Sequence, residues 1–216
     1  YTALRDIDPD DFNAGAALFK PRDAYWYFQK RPLGYRPKGS QGDSMYLAEN
    51  PPFGSVFTYY LADSFRTQKQ ERQAAEAAAK KAGDDVAFPG WREVTDETQE
   101  QKPQVVLVIH DNEGNVLRRV KAPNKAGLNR VAWDLRRSFS GPVEMGKNWR
   151  GDSPTGFMVM PGSYQAKLVL VQNGVEQTLA APVDFNVKRL REGALPGSSL
   201  GTLEAFTAEL NTLYGQ

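Results

Sequence analysis

The chain has 216 residues, enough for one core with appendages, and 40% of them are hydrophobic. Its 27 Lys plus Arg balance 26 Asp plus Glu, and the formal charge of +1 gives no electrostatic footing for nucleic acid or an anionic membrane surface. With no cysteine and one histidine, disulfides, thiolate metal sites, a Cys nucleophile and multi-histidine centres are excluded.

No run approaches 18 apolar residues, so no membrane insertion is expected, and the opening at Tyr1 lacks a charged-then-apolar leader, which reads as a mature or trimmed fragment. Residues 1–54 carry Pro9, Pro21, Pro32, Pro37, Pro51 and Pro52 without a lasting period of 2 or 3.6, which predicts an extended, irregular lead-in. Phe19, Tyr25, Trp26, Tyr27, Phe28 and Tyr35 are too many aromatics to leave in water. They pack either on the chain's own sheets or against a neighbouring domain.

Gly54–Asp63 is β-branched and aromatic, which suits a first strand after Pro51-Pro52. Residues 66–82 are rich in Ala, Gln, Glu and Lys, with Thr67 three residues before Gln70 as a capping box and Gly83 as a stop. That predicts an exposed helix inserted between strands, with Glu76 and Lys80 paired at i,i+4. Asp84–Lys102 then reads as a polar return loop.

Val105, Leu107 and Ile109 alternate with Val106, Val108 and His110, Asp111–Asn115 supplies a Gly-containing turn, and Val116–Val120 resumes the apolar pattern. Leu128–Leu135 places Val131, Trp133 and Leu135 on a core face, with Trp133 as the central core residue. Arg136–Gly156 is a long loop rich in Gly and Pro. Ser163–Gln172 puts Tyr164, Ala166, Leu168 and Leu170 on one face, and Asn173-Gly174 offers the positive-φ pair of a tight hairpin. Val183, Phe185 and Val187 form a last strand, and Leu203, Phe206, Leu210 and Leu213 recur at helical spacing in a short C-terminal helix.

Few residue sets could carry chemistry. His110, the only histidine, reads as a strand-end residue beside a hairpin rather than a proton shuttle, because a catalytic histidine needs a defined neighbourhood. Asp111, Asn112, Glu113 and Asn115 supply the oxygens that Ca²⁺ prefers, but their spacing matches no EF-hand, and polar turn residues explain them. Asp134 beside Arg136 and Arg137 reads as an ion-pair partner rather than a catalytic acid. Gly39, Gly42 and Gly54 make no phosphate loop. Trp149, Arg150 and Asp152 form an aromatic-plus-polar set of the kind that stacks on sugar or contacts a peptide, or else anchors the loop.

The order Leu4-Arg5-Asp6, Leu18-Phe19-Lys20-Pro21-Arg22, Glu49-Asn-Pro-Pro-Phe-Gly54, Gly127-Leu-Asn-Arg-Val-Ala-Trp-Asp-Leu-Arg136, Gly141-Pro142 and Met160-Pro-Gly-Ser-Tyr164 resembles the region after the β-propeller in bacterial sortilin-like (VPS10-type) BNR-repeat proteins, many labelled glycosyl hydrolases. The Gly-Leu-Asn-x-x-x-Trp-Asp and Pro-Gly-x-Tyr pair is also similar to Ig-like domains of flagellar hook-capping proteins and C-terminal sorting modules. The helix around 66–82 is longer than the usual link in that family, and no Asp-box repeat occurs.

The resemblance implies a mainly β fold, an Ig or fibronectin-III-like β-sandwich with an extended N-terminal lead-in, one inserted helix and a C-terminal helix. Residues 1–54 would be a lead-in from a propeller, 55–190 the sandwich with its helical insertion, and 191–216 a linker and terminal helix. It implies a non-catalytic, cofactor-free accessory domain, secreted or periplasmic, that docks to an upstream propeller or a protein subunit. Tyr25, Trp26, Tyr27, Trp149, Arg150 and Asp152 are then the candidate contacts and Trp133 and Tyr164 the structural core. A carbohydrate-binding module with Trp149 stacking on glycan is the alternative. Pro161-Gly162 before Tyr164 further predicts a tyrosine corner, in which the hydroxyl finds a backbone acceptor.

Overall fold

The computed structural model describes residues 5, 7–29, 46, 51–142, 155–195 and 197–215. Trp149, Arg150, Asp152 and Tyr35 lie outside these, as does most of the expected long loop. The described residues form a mainly β structure of nine strands in two sheets, one curled as a half-barrel, with three α-helices, the last at the C-terminal end.

The smaller sheet runs β1 (Ala16–Phe19), β3 (Ser55–Leu61), β6 (Gly127–Trp133), antiparallel throughout. The larger runs β2 (Ala24–Trp26), β9 (Val183–Arg189), β7 (Gly162–Gln172), β4 (Gln104–His110), β5 (Val116–Ala122). Strand β8 (Val175–Thr178) pairs with the far half of β7. Strand β2 runs parallel to β9, so the chain crosses from one sheet to the other between Phe19 and Ala24. The lead-in read as irregular therefore holds two strands. They are four and three residues long and parted by Pro21, too short to show a period.

The inward rows of both sheets meet in one core. Phe57, Tyr59, Leu61, Val105, Leu107, Ile109, Trp133, Ala166 and Leu168 are fully or almost fully buried there. Trp133 is the largest fully buried side chain, edge-on to Phe185 at 5.9 Å, and its indole N–H donates to the Arg136 carbonyl at 2.9 Å. The residues predicted to share a face of β7, from Tyr164 to Leu170, are all buried. The hydroxyl of Tyr164 donates to the carbonyl of Met160, four residues back, which is the predicted corner. Tyr59 reaches the Pro123 carbonyl in the same way.

Turn chemistry follows the local residues. Asn173 and Gly174 have φ of 50° and 77°, the positive pair that a two-residue hairpin demands. Gly54 has φ of 96°, and a Cβ there would lie 1.9 Å from the Trp133 carbonyl oxygen, so only glycine fits where β3 begins beside β6.

Helix α1 (Gln68–Ala82) is capped as expected, with Thr67 and Gln70 exchanging hydrogen bonds and Gly83 left-handed at φ 89°. None of its residues is buried. Two expectations for this region fail. Glu76 pairs with Arg72 rather than with Lys80, and the polar return loop contains a second helix, α2 (Trp91–Gln99). The signal for α2 is tertiary, because Glu97, 6% exposed, takes a two-pronged hydrogen bond from Arg72 of α1 at 2.5 and 2.8 Å. Helix α3 (Leu200–Tyr214) starts at Ser199 and is tied down by Asn211 to Ser140 and by Glu204 to Arg137.

Candidate functional site

The segment carrying Tyr25, Trp26 and Tyr27 splits these three residues by the alternation of a strand. Ala24 is buried and Trp26 half-buried on the inner side, where the Trp26 indole N–H donates to the Val159 carbonyl at 2.7 Å. Trp26 is thus an anchor of the fold. Tyr25 and Tyr27 face outward, 48% and 38% exposed, and Phe28 is more exposed still.

Those two tyrosines border a groove of about 550 Å³ whose opposite wall is Pro51, Pro52 and Phe53 leading into β3. Tyr27 meets Phe53 edge-on at 5.1 Å. Arg22 enters from the same segment as the tyrosines, and Arg130 reaches the groove from β6, where it lies opposite Thr58 of β3. Both arginines are exposed, and neither has an ion pair or hydrogen bond among the described residues. Asp23 is different. Lys188 holds it in an ion pair, and that contact, with help from Asn186, keeps its carboxyl below the usual range. Among the described residues the groove thus offers two unpaired guanidinium groups and two aromatic faces, and the Asp23 carboxylate in its lining is already satisfied.

Sequence reasoning found Tyr25 and Tyr27 but missed Arg22, Arg130 and Phe53. The outward alternation of Leu128, Arg130 and Ala132 on β6 was readable; the meeting of Arg130 with Arg22 depends on strand pairing and was not.

The residues weighed for chemistry do not line this groove. His110 ends β4, where burial first and Lys167 second lower its pKa. Asp134 accepts the backbone N–H of Arg136 at 3.2 Å and makes no ion pair among the described residues, so the expected pairing with Arg136 or Arg137 is absent there. The Asp111 carboxylate caps its own turn, accepting the N–H groups of Glu113 and Asn115 at 3.0 and 2.8 Å. Among the described residues no three His, Cys, Asp or Glu gather as metal ligands, and no helix is long and apolar enough to cross a membrane. Set beside models of protein families, curated proteins and solved structures, the chain gives no match.

Proposed function

We propose that this chain is a non-catalytic accessory domain with an Ig or fibronectin-III-like architecture, and that it docks through the Tyr25–Tyr27 edge to an upstream propeller domain or a protein subunit of a secreted or periplasmic protein. The observation that carries the docking reading is the exposure of Tyr25, Tyr27 and Phe28 beside a groove that the described residues leave open. A fold that covered these rings by itself would leave nothing to dock.

Three features favour the Ig-like architecture. The first strand region divides between the two sheets, with β1 antiparallel to β3 and β2 parallel to the last strand β9. The strand order of the larger sheet, β9-β7-β4-β5, follows the last-strand, sixth, third pattern of such domains. The corner hydrogen bond of Tyr164 stands at the start of β7, where that fold places it. The non-catalytic reading rests on how the Asp111 and Asp134 carboxylates are engaged, the first by the N–H groups of its own turn and the second by the backbone of Arg136.

The test measures binding between this chain and the remainder of its natural protein, produced separately. Tyr25→Ser with Tyr27→Ser weakens that binding by at least about tenfold while leaving the unfolding midpoint in place, as expected for aromatic anchors that become buried at an interface. Undiminished binding by the double variant, or a natural protein with no further region to bind, overturns the reading.

A further inference from the structure

The groove at Tyr25 and Tyr27 lies between two incompletely paired strand edges. The carbonyl of Trp26 accepts the N–H of Leu190 at 3.2 Å, so the polar backbone groups of Trp26 turn toward β9, and those of Tyr25 and Tyr27 turn the opposite way. Among the described residues no strand lies on that side, since β2 ends the larger sheet. Across the groove, β3 pairs with β6 from Ser55 to Leu61 but with β1 only from Thr58 to Leu61. The half of β3 nearest the groove is therefore unpaired on its β1 side among the described residues. Backbone donors and acceptors at a sheet edge bind best to another extended chain.

The charges select what kind of chain. Arg22 and Arg130 both line the groove and neither side chain has a partner among the described residues, while Asp23 is neutralised by Lys188. Guanidinium groups form strong two-pronged hydrogen bonds with carboxylates and phosphates, and of these an extended polypeptide supplies carboxylates from its own side chains. The protein's own residues 30–50, which join the two walls in sequence, carry four basic side chains against two acidic ones and are poorly matched to two free arginines. Complementarity points to a separate, acidic segment.

Resting on the docking reading and naming its chemistry, we infer that the groove takes an extended acidic peptide segment of a partner protein. The segment lies along the free edge of β2, with carboxylates on Arg22 and Arg130 and its flanks against Tyr25 and Tyr27. Such a segment gains main-chain hydrogen bonds from the edge and specificity from alternate side chains, which suits a groove with two charges and two rings.

The experiment is fluorescence anisotropy of the whole 216-residue chain with two labelled ten-residue probes, one alternating Glu and Thr, the other Lys and Thr. The acidic probe binds at least about tenfold more tightly at low salt, a preference that shrinks as salt is added. Arg22→Gln with Arg130→Gln removes the preference without altering far-ultraviolet circular dichroism. An acidic probe N-methylated on alternate backbone nitrogens binds at least about tenfold more weakly, because it cannot donate to the strand edge. Equal binding of the two probes, or none, overturns the inference. So does capture of polygalacturonate through the same arginines with no penalty for N-methylation of the peptide, which would make the ligand an acidic glycan. Loss of docking in the tyrosine double variant together with no binding of the acidic probe leaves the docking reading standing and removes only the acidic segment. Acidic-probe binding with undiminished docking does the reverse.

Discussion

Residues 104–187 and residues 68–99 are held by different means, and the contrast shows what each can tolerate. In the sheets, stability comes from apolar side chains removed from water around Trp133, where a buried aromatic of this size contributes several kcal/mol on the order of 3–5 when truncated. In the α1–α2 hairpin no residue of α1 is buried and only Glu97 of α2 is, so the pair is joined mainly by Arg72 with Glu97 and by the carboxylate of Glu100 on the N–H of Gln68. A core of that kind is lost all at once, whereas a surface hairpin can open while the sheets persist. The groove at Tyr25 and Tyr27 belongs to the sheet region, and its shape should therefore survive loss of the hairpin.

The largest effect is expected from Trp133→Ala, which should lower the stability of the sheets by about 3–5 kcal/mol through the cavity it leaves. Chemical denaturation followed by tyrosine and remaining tryptophan fluorescence measures it. A loss below about 1 kcal/mol would show that the ring is not the centre of the core.

Tyr164→Phe is the next step down, at about 0.5–1.5 kcal/mol, because it removes the hydrogen bond to Met160 and keeps the ring. The hydroxyl adds a pH signature. Burial, with a smaller push from Glu204, raises its pKa to about 12. A raised value in the folded state means that the neutral form is favoured there, so its contribution is complete below the ordinary tyrosine value near 10 and fades as pH rises toward 12. The Phe variant should lose part of the alkaline sensitivity of the sheets; an unchanged alkaline profile would remove Tyr164 from that role.

Acid should act on the hairpin first and on overall stability least. The hydrogen bonds from Arg72 hold the Glu97 carboxyl below the usual carboxylate range despite its desolvation. A lowered folded value stabilises above the ordinary pKa of about 4.3 and is lost as pH falls through the folded value. Helical ellipticity should drop in that window while the near-ultraviolet signal of Trp133 persists, and Glu97→Gln should reproduce the drop at neutral pH. Simultaneous loss of both signals would mean that hairpin and sheets form one cooperative unit.

The same contrast explains what the sequence could disclose. The capping box at Thr67 and Gln70 and the positive-φ pair at Asn173-Gly174 act over three or four residues, and the alternation from Tyr164 to Leu170 repeats along one strand, so each was legible locally. Helix α2 was not, because Glu97 finds its partner 25 residues away. Strands β1 and β2 were too short to show a period and exist through pairing with β3 and β9. The candidate site divides in the same way. Its tyrosines stand out as an aromatic cluster, whereas Arg22 and Arg130 are joined only by the fold.

The most direct test of the docking account is amide hydrogen exchange on this chain alone and on its full natural protein, compared peptide by peptide. Residues 24–28 and 51–57 should exchange more slowly in the full protein, while α1, α2 and β8 exchange alike in both. Equal exchange at Tyr25 to Phe28 in the two samples would contradict it.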